Sequence, residues 1–176
     1  QISQRAQRIK PFMVMEVAKA AQAMAAKAAH TDQPMLFLNI GEPDCSAPLA
    51  VQEAAARAMA NGHTGYTQAL GIAPLRQAIS GWYASRFGLD IDPARIAITA
   101  GASAALQLAC LALVNPGDEV LMPDPSYPCN RNFVAAADGQ AVLLPTTPEQ
   151  RFQLSAEQIE QAWGDKTRGV LLASPS

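Results

Sequence analysis

The chain has 176 residues and a mass of 18.6 kDa, with 13 basic and 15 acidic side chains for a net charge of −2. A hydrophobic content of 49% with 16% charged residues excludes a disordered polypeptide, and the length suits one ordinary domain. No apolar run approaches the roughly 18 residues of a membrane span. A pI near 5.6 and the lack of a basic cluster argue against a nucleic-acid surface.

Met13 to Ala29 is alanine-rich with helical spacing of Met13, Val17 and Met24, and reads as a packing helix. Pro34 ends the connection that follows. Met35–Ile40 reads as a strand running into the turn Gly41-Glu42-Pro43-Asp44. A second helix is expected from about Pro48 to Ala60, with Ser46 as its cap and Asn61-Gly62 as its stop. After a polar loop containing Tyr66, a third helix covers Ile72 to Phe87, with Leu75, Ile79 and Trp82 on one face and Gly88 closing it. The remainder alternates regularly. Arg95–Ala100 is a predicted strand, Gly101-Ala102-Ser103 a turn and Ala104–Val114 a helix. Glu119–Met122 is a strand before the proline-rich turn 123–128, and Asn130–Ala137 a helix. Ala141–Leu144 is a strand, Ser155 and Gln158 a capping box opening a helix through Trp163, and Gly169–Ala173 the last strand.

Short apolar strands alternating with helices predict an α/β fold with a mainly parallel sheet and right-handed crossovers. A boundary near residue 45 would separate an N-terminal arm, helix and strand (residues 1–45) from the α/β unit (residues 46–176). The chain starts at Gln1 and stops at Ser176 directly after an apolar run, so a piece of a longer protein is expected. Cys45, Cys110 and Cys129 show no CxxC spacing, and His30 and His63 lie far apart, so neither a disulfide framework nor a metal cluster is indicated. Arg5, Arg8 and Lys10 are followed by Pro11 and a stretch broken by Glu16 and Lys19, unlike a secretory signal, so a cytoplasmic location is expected.

Two turns could carry chemistry, because ligands of open α/β sheets bind beyond the carboxyl ends of the strands. Gly101-Ala102-Ser103 joins a predicted strand to a helix N-terminus. There, outward amides, the helix dipole and a hydroxyl suit a phosphate, although a plain turn with serine as cap explains the residues equally well. Neither GxGxxG nor a P-loop is present. In Asp124-Pro125-Ser126-Tyr127-Pro128 the flanking prolines restrict an aromatic ring that could stack on a planar ligand or simply plug the loop.

Six stretches in order resemble the class I/II aminotransferases that use pyridoxal 5′-phosphate. They are Ile40–Asp44; Tyr66-Thr67 with Gly71 and Leu75-Arg76; Thr99–Leu106; Pro116–Leu121; Pro123–Pro128; and Ala173–Ser176. The resemblance implies a three-layer αβα large domain, incomplete here, preceded by the start of a smaller domain. It implies that the turn at Gly101, Ala102 and Ser103 holds the cofactor phosphate and that Tyr127 stacks on the pyridine ring. Tyr66 would reach the phosphate of the neighbouring subunit of a homodimer, and Gly41 would lie against the substrate α-carboxylate.

The activity implied is transamination between an amino acid and a 2-oxo acid. Rival readings are another enzyme of the same fold and cofactor (β-lyase, decarboxylase or cyclase), or a non-catalytic ligand-binding module. The Schiff-base lysine, the aspartate on the pyridinium nitrogen and the carboxylate-clamping arginine are expected downstream. Lys10, Lys19, Lys27 and Lys166 stand in no family motif, so no catalytic residue is assigned in this segment and it should be inactive alone.

Overall fold

The computed structural model describes residues 1–28 and 35–174. In chain order the helices are α1 (Gln4–Arg8), α2 (Met13–Ala28), α3 (Leu49–Ala60), α4 (Ala73–Phe87), α5 (Ala102–Leu113), α6 (Cys129–Ala136) and α7 (Ala156–Ala162). The strands are β1 (Glu119–Asp124), β2 (Gln140–Pro145) and β3 (Thr167–Val170), and a 3-10 turn covers Pro93–Arg95. The chain divides into two compact units, one formed by Gln1–Met35 with Gly101–Ser176, the other by Leu36–Ala100. This division follows contacts and is a different partition from the sequence boundary near residue 45.

The first unit is α/β. Its sheet has the order β2-β1-β3 with both pairings parallel. Val120, Leu121 and Met122 of the central strand are buried, because a strand covered on both faces must be apolar on both. Val120 and Met122 pack with Cys110 of α5 and with Val134 and Ala137 at α6. Gly139 turns the chain from α6 into β2 where a Cβ would stand 2.5 Å from Val114 Cγ1. Pairing between β1 and β3 is irregular at Glu119/Val120. Arg168, in that stretch of β3, donates from Nε to the Leu113 carbonyl at 2.7 Å, satisfying a group at the C-terminus of α5.

The connection β1-α6-β2 runs to one edge of the sheet, and β2-α7-β3 returns past β1 to the other. Right-handed crossovers in opposite directions assign α6 and α7 to opposite faces. The strand order therefore reverses between β1 and β3, which makes their carboxyl ends a topological switch point. Before α7, the predicted capping box is present: Ser155 Oγ accepts from Gln158 N, and Gln158 Oε1 accepts from Ser155 N.

The second unit holds α3 and α4. Gly88 ends α4 at φ 67, with its amide on the Ala84 and Tyr83 carbonyls, as the glycine stop predicts. Asn61 and Gly62 (φ 76) likewise end α3. Arg76 donates to the Pro93 carbonyl at 3.1 Å and Ser80 to the Ile91 carbonyl at 2.6 Å, tying the segment after α4 back to the helix. Trp82 stacks edge-on against Tyr83 and Phe87, with centroids 5.2 Å from each. Leu75 and Trp82 remain exposed, so the predicted apolar face of α4 is not a core face within this unit.

Several sequence expectations need correction. Met35–Ile40 and Arg95–Ala100 form no strand: the first is irregular with bends, and the second begins in the 3-10 turn and joins none of the strands β1 to β3. Their apolar content suggested strands, but a strand exists only with a partner. Leu38 is 92% exposed, and Ile98 N donates to the Leu70 carbonyl at 3.1 Å, a loop contact and not a strand pairing. Ser46 does not cap α3. Pro48 occupies the N-cap, while Ser46 Oγ accepts only a long contact from Gln52 Nε2 at 3.5 Å. The last strand spans Thr167–Val170 and is earlier than predicted. Helix α1 was not anticipated. Ala29, His30, Pro34, Pro175 and Ser176 lie outside the described residues.

Candidate functional site

The five residues between α5 and β1 reverse the chain, so the N-terminus of α5 faces the same end of the sheet as the carboxyl end of β1. Gly101 is the N-cap of α5 at φ 83, a left-handed conformation that disfavours any side chain. A Cβ there would meet no atom within 4 Å, so the conformation and not crowding selects glycine. Ala102 and Ser103 open the helix and are exposed. The amides of a first turn have no intrahelical partner and carry the positive end of the helix dipole, an arrangement chemically suited to an anion.

Beyond β1 the chain passes a cis Asp124–Pro125 bond and Ser126 to Tyr127, which stands just before the N-cap of α6, Pro128. Asp124 is held at the strand end by its carbonyl, which accepts from Thr146 N (2.9 Å) and Thr146 Oγ1 (3.1 Å). Its carboxylate lies 3.6 Å from Arg131 of α6. The Tyr127 ring is about half exposed, at 49%. It meets Phe12 nearly perpendicularly, with centroids 6.1 Å apart and planes at 80°. A side-chain hydrogen bond with Cys129, reinforced by charge and slight desolvation, pushes the phenol above its ordinary pKa, so the ring stays neutral.

A cavity of about 350 Å³ opens at the switch point. Pro123, Pro125, Ser126 and Tyr127 line it from the β1 side, Leu171 and Ala173 from the β3 side, and Asn130 and Phe152 complete it. Ser126 Oγ is buried there without a hydrogen-bond partner among the described residues, so its desolvation is uncompensated among them. Phe152 reaches the cavity from a loop in which both Arg151 (φ 54) and Phe152 (φ 55) are left-handed, a backbone state uncommon for large side chains. Sequence reasoning missed Ser126, Asn130 and Phe152. Ser126 lay inside a turn already singled out, but nothing local to Phe152 marks it.

The first unit thus carries four of the sequence candidates, Gly101, Ala102, Ser103 and Tyr127, on turns at the carboxyl end of its sheet. Gly41 and Tyr66 belong to the second unit. Gly41 is exposed with open space where a Cβ would stand, and Tyr66 projects fully into solvent from the loop between α3 and α4. Among the described residues no His/Cys/Asp/Glu group could hold a metal ion, and no helix is long and apolar enough to cross a membrane.

Residues 33–176 match the family described as "Aminotransferase class I and II". The chain is 39% identical over 168 residues to a valine–pyruvate aminotransferase of Mycobacterium tuberculosis, covering 96% of this chain and 42% of that protein. It is 35% identical over 175 residues to an aspartate/prephenate aminotransferase of Nitrosomonas europaea, covering 99% of this chain and 43% of that protein. Its fold superposes on the crystal structure of an aspartate aminotransferase from Rhizobium meliloti with a TM-score of 0.91 at 33% identity, covering 100% of this chain and 43% of that one. The chain therefore spans less than half the length of these relatives. By sequence and by fold together, it belongs to the class I and II aminotransferase family, as its N-terminal part.

Proposed function

We propose that the protein to which this segment belongs transfers an amino group between an amino acid and a 2-oxo acid with pyridoxal 5′-phosphate as cofactor. The observation that carries this reading is the placement, at one end of one sheet, of an exposed helix N-terminus and of a half-exposed tyrosine lining the switch-point cavity. The family uses this cofactor, a phosphate monoester joined to a planar pyridine ring, and the residues present fit both halves. The amides of Ala102 and Ser103 and the Ser103 hydroxyl would bind the phosphate. Tyr127 would stack on the ring, and its neutral phenol adds no repulsive charge. When bound, the cofactor supplies an electron sink for negative charge developing at the substrate α-carbon. The residues of this segment bind and orient, and no proton transfer is assigned to them.

In the same reading the parent protein is a cytoplasmic homodimer whose large domain is a complete three-layer αβα sandwich. Tyr66, free of cover in this chain, reaches the phosphate of the neighbouring subunit, and Gly41 leaves room for the substrate α-carboxylate. The test is to titrate the full-length protein with pyridoxal phosphate, follow the visible absorption of the bound cofactor, and assay 2-oxo acid formation from a panel of amino acids with and without an acceptor. Acceptor-dependent product supports transamination. Product without an acceptor favours a lyase or decarboxylase, and no binding at all overturns the reading.

A further inference from the structure

We propose that the N-terminal arm is an ion-pair-anchored strap along α6 that sets the pose of Tyr127, with Phe12 as the positioning residue. The functional sense of the strap rests on the cofactor reading above; its mechanical sense does not.

Three observations meet here, all within the first unit. At one end of α6, Arg5 and Arg8 of α1 both hold the carboxylate of Asp138. Arg5 Nε donates to Oδ2 at 3.0 Å, and Arg8 Nη2 pairs with Oδ1. Asp138 presents that carboxylate from a left-handed backbone (φ 62) just beyond the helix, a conformation few residues other than glycine, asparagine and aspartate adopt readily. At the other end of α6, Phe12 packs perpendicular to Tyr127. Only Ile9, Lys10 and Pro11 separate Arg8 from Phe12, a link that fully extended spans at most ~14 Å, so the anchor and the brace are joined by a short segment.

So short a link couples the anchorage at Asp138 to the ring contact at Tyr127. If the arginines let go of Asp138, Phe12 is no longer drawn to the N-terminal end of α6, and the tyrosine loses the ring that braces it. Phe12 then hands the chain directly into α2, its carbonyl accepting from Met15 N at 2.9 Å, so the brace is also tied to a second helix. Roughly half of the Tyr127 surface stays open, which leaves the ring braced on one side and available on another.

The test places 3-fluorotyrosine at position 127 of the full-length protein and reads its fluorine resonance without cofactor. Phe12→Ala and Asp138→Asn should each move or broaden that resonance. Phe12→Tyr, which keeps the edge contact, should leave it in place, as should Glu53→Gln, which breaks the ion pair with Arg57 in the other unit. Raising salt from about 0.1 to 1 M shortens the screening length from ~10 to ~3 Å and should shift the unmutated protein towards the Asp138→Asn position, a readout that needs no variant to fold. An unmoved resonance in Phe12→Ala overturns the brace, and one moved by Phe12→Ala but not by Asp138→Asn or salt overturns the strap. A parallel titration with pyridoxal phosphate should show about three- to tenfold weaker binding in Phe12→Ala and Asp138→Asn. Failure of the unmutated protein to bind would defeat the cofactor reading while the fluorine result still decides the strap.

Discussion

At Gly71 two constraints act on one atom. The backbone sits at φ +92, and a Cβ would lie 2.4 Å from Ile98 Cγ1 and 2.7 Å from Ile98 Cβ. Gly71→Ala should therefore destabilise the protein by about 1–3 kcal/mol in urea unfolding. Ile98→Ala in the same chain should recover only part of that loss, because it removes the Cγ1 clash but leaves the Ile98 Cβ at 2.7 Å and the positive φ unchanged. At the candidate site, Tyr127→Ala should weaken pyridoxal phosphate binding on the order of tenfold, the equivalent of the ~0.5–1.5 kcal/mol of an aromatic contact, while Tyr127→Phe should bind nearly as well. Asp138 offers a pH test. The Arg5 hydrogen bond, with the charges of Arg5 and Arg8, outweighs desolvation and lowers its pKa from the ordinary carboxylate value. A depressed folded value means that the anchorage is fully present above the unfolded value of about 3.9 and is lost as pH falls through the folded one. The side-chain carbon shift of Asp138 should titrate below the random-coil midpoint and return to it in an Arg5→Gln, Arg8→Gln double variant.

Among the elements, α7 and β1 illustrate opposite kinds of legibility. The capping box of α7 is local, with Ser155 and Gln158 three residues apart satisfying each other's backbone, and the sequence alone reveals it. Ser155→Ala should cost about 1 kcal/mol by denaturant midpoint, and Ser155→Asp should retain most of it. The glycine stop at Gly88 is legible for the same reason. In β1, Leu121 is fully buried between the two faces of the sheet, and Leu121→Ala should cost about 2–5 kcal/mol because deleting its methyl groups leaves a cavity. The sequence marks β1 as a strand, but the identical apolar signal in Met35–Ile40 and Arg95–Ala100 produces none. A helix closes its hydrogen bonds within itself, whereas a strand borrows them from a neighbour that lies elsewhere in the chain. Apolar composition is therefore necessary for a buried strand and insufficient for any strand.

Across the whole molecule, burial is uneven. Among the described residues every buried side chain lies in the first unit, around β1, α5 and α6, and none in Leu36–Ala100. Hydrogen exchange of this 176-residue chain should accordingly find the slowest amides in β1 and much faster ones in α3, whose residues include no buried side chain. Equal protection in the two would contradict that distribution. The candidate site divides along similar lines. Gly101, Ala102 and Ser103 stand out in the sequence because they open a helix, and Tyr127 because prolines flank it, and both patterns are local. Their common location at a switch point, the buried unpartnered Ser126 hydroxyl and the contribution of Phe152 emerge only when β3 returns beside β1. The sequence by itself determined the α/β class, the capping box of α7, the stops of α3 and α4, and, through six ordered motifs, the family. The tertiary structure decided which apolar segments pair, which residues share the cavity, and that the arm runs from Asp138 to Tyr127. Those outcomes depend on contacts between residues far apart in the chain, which no local pattern encodes.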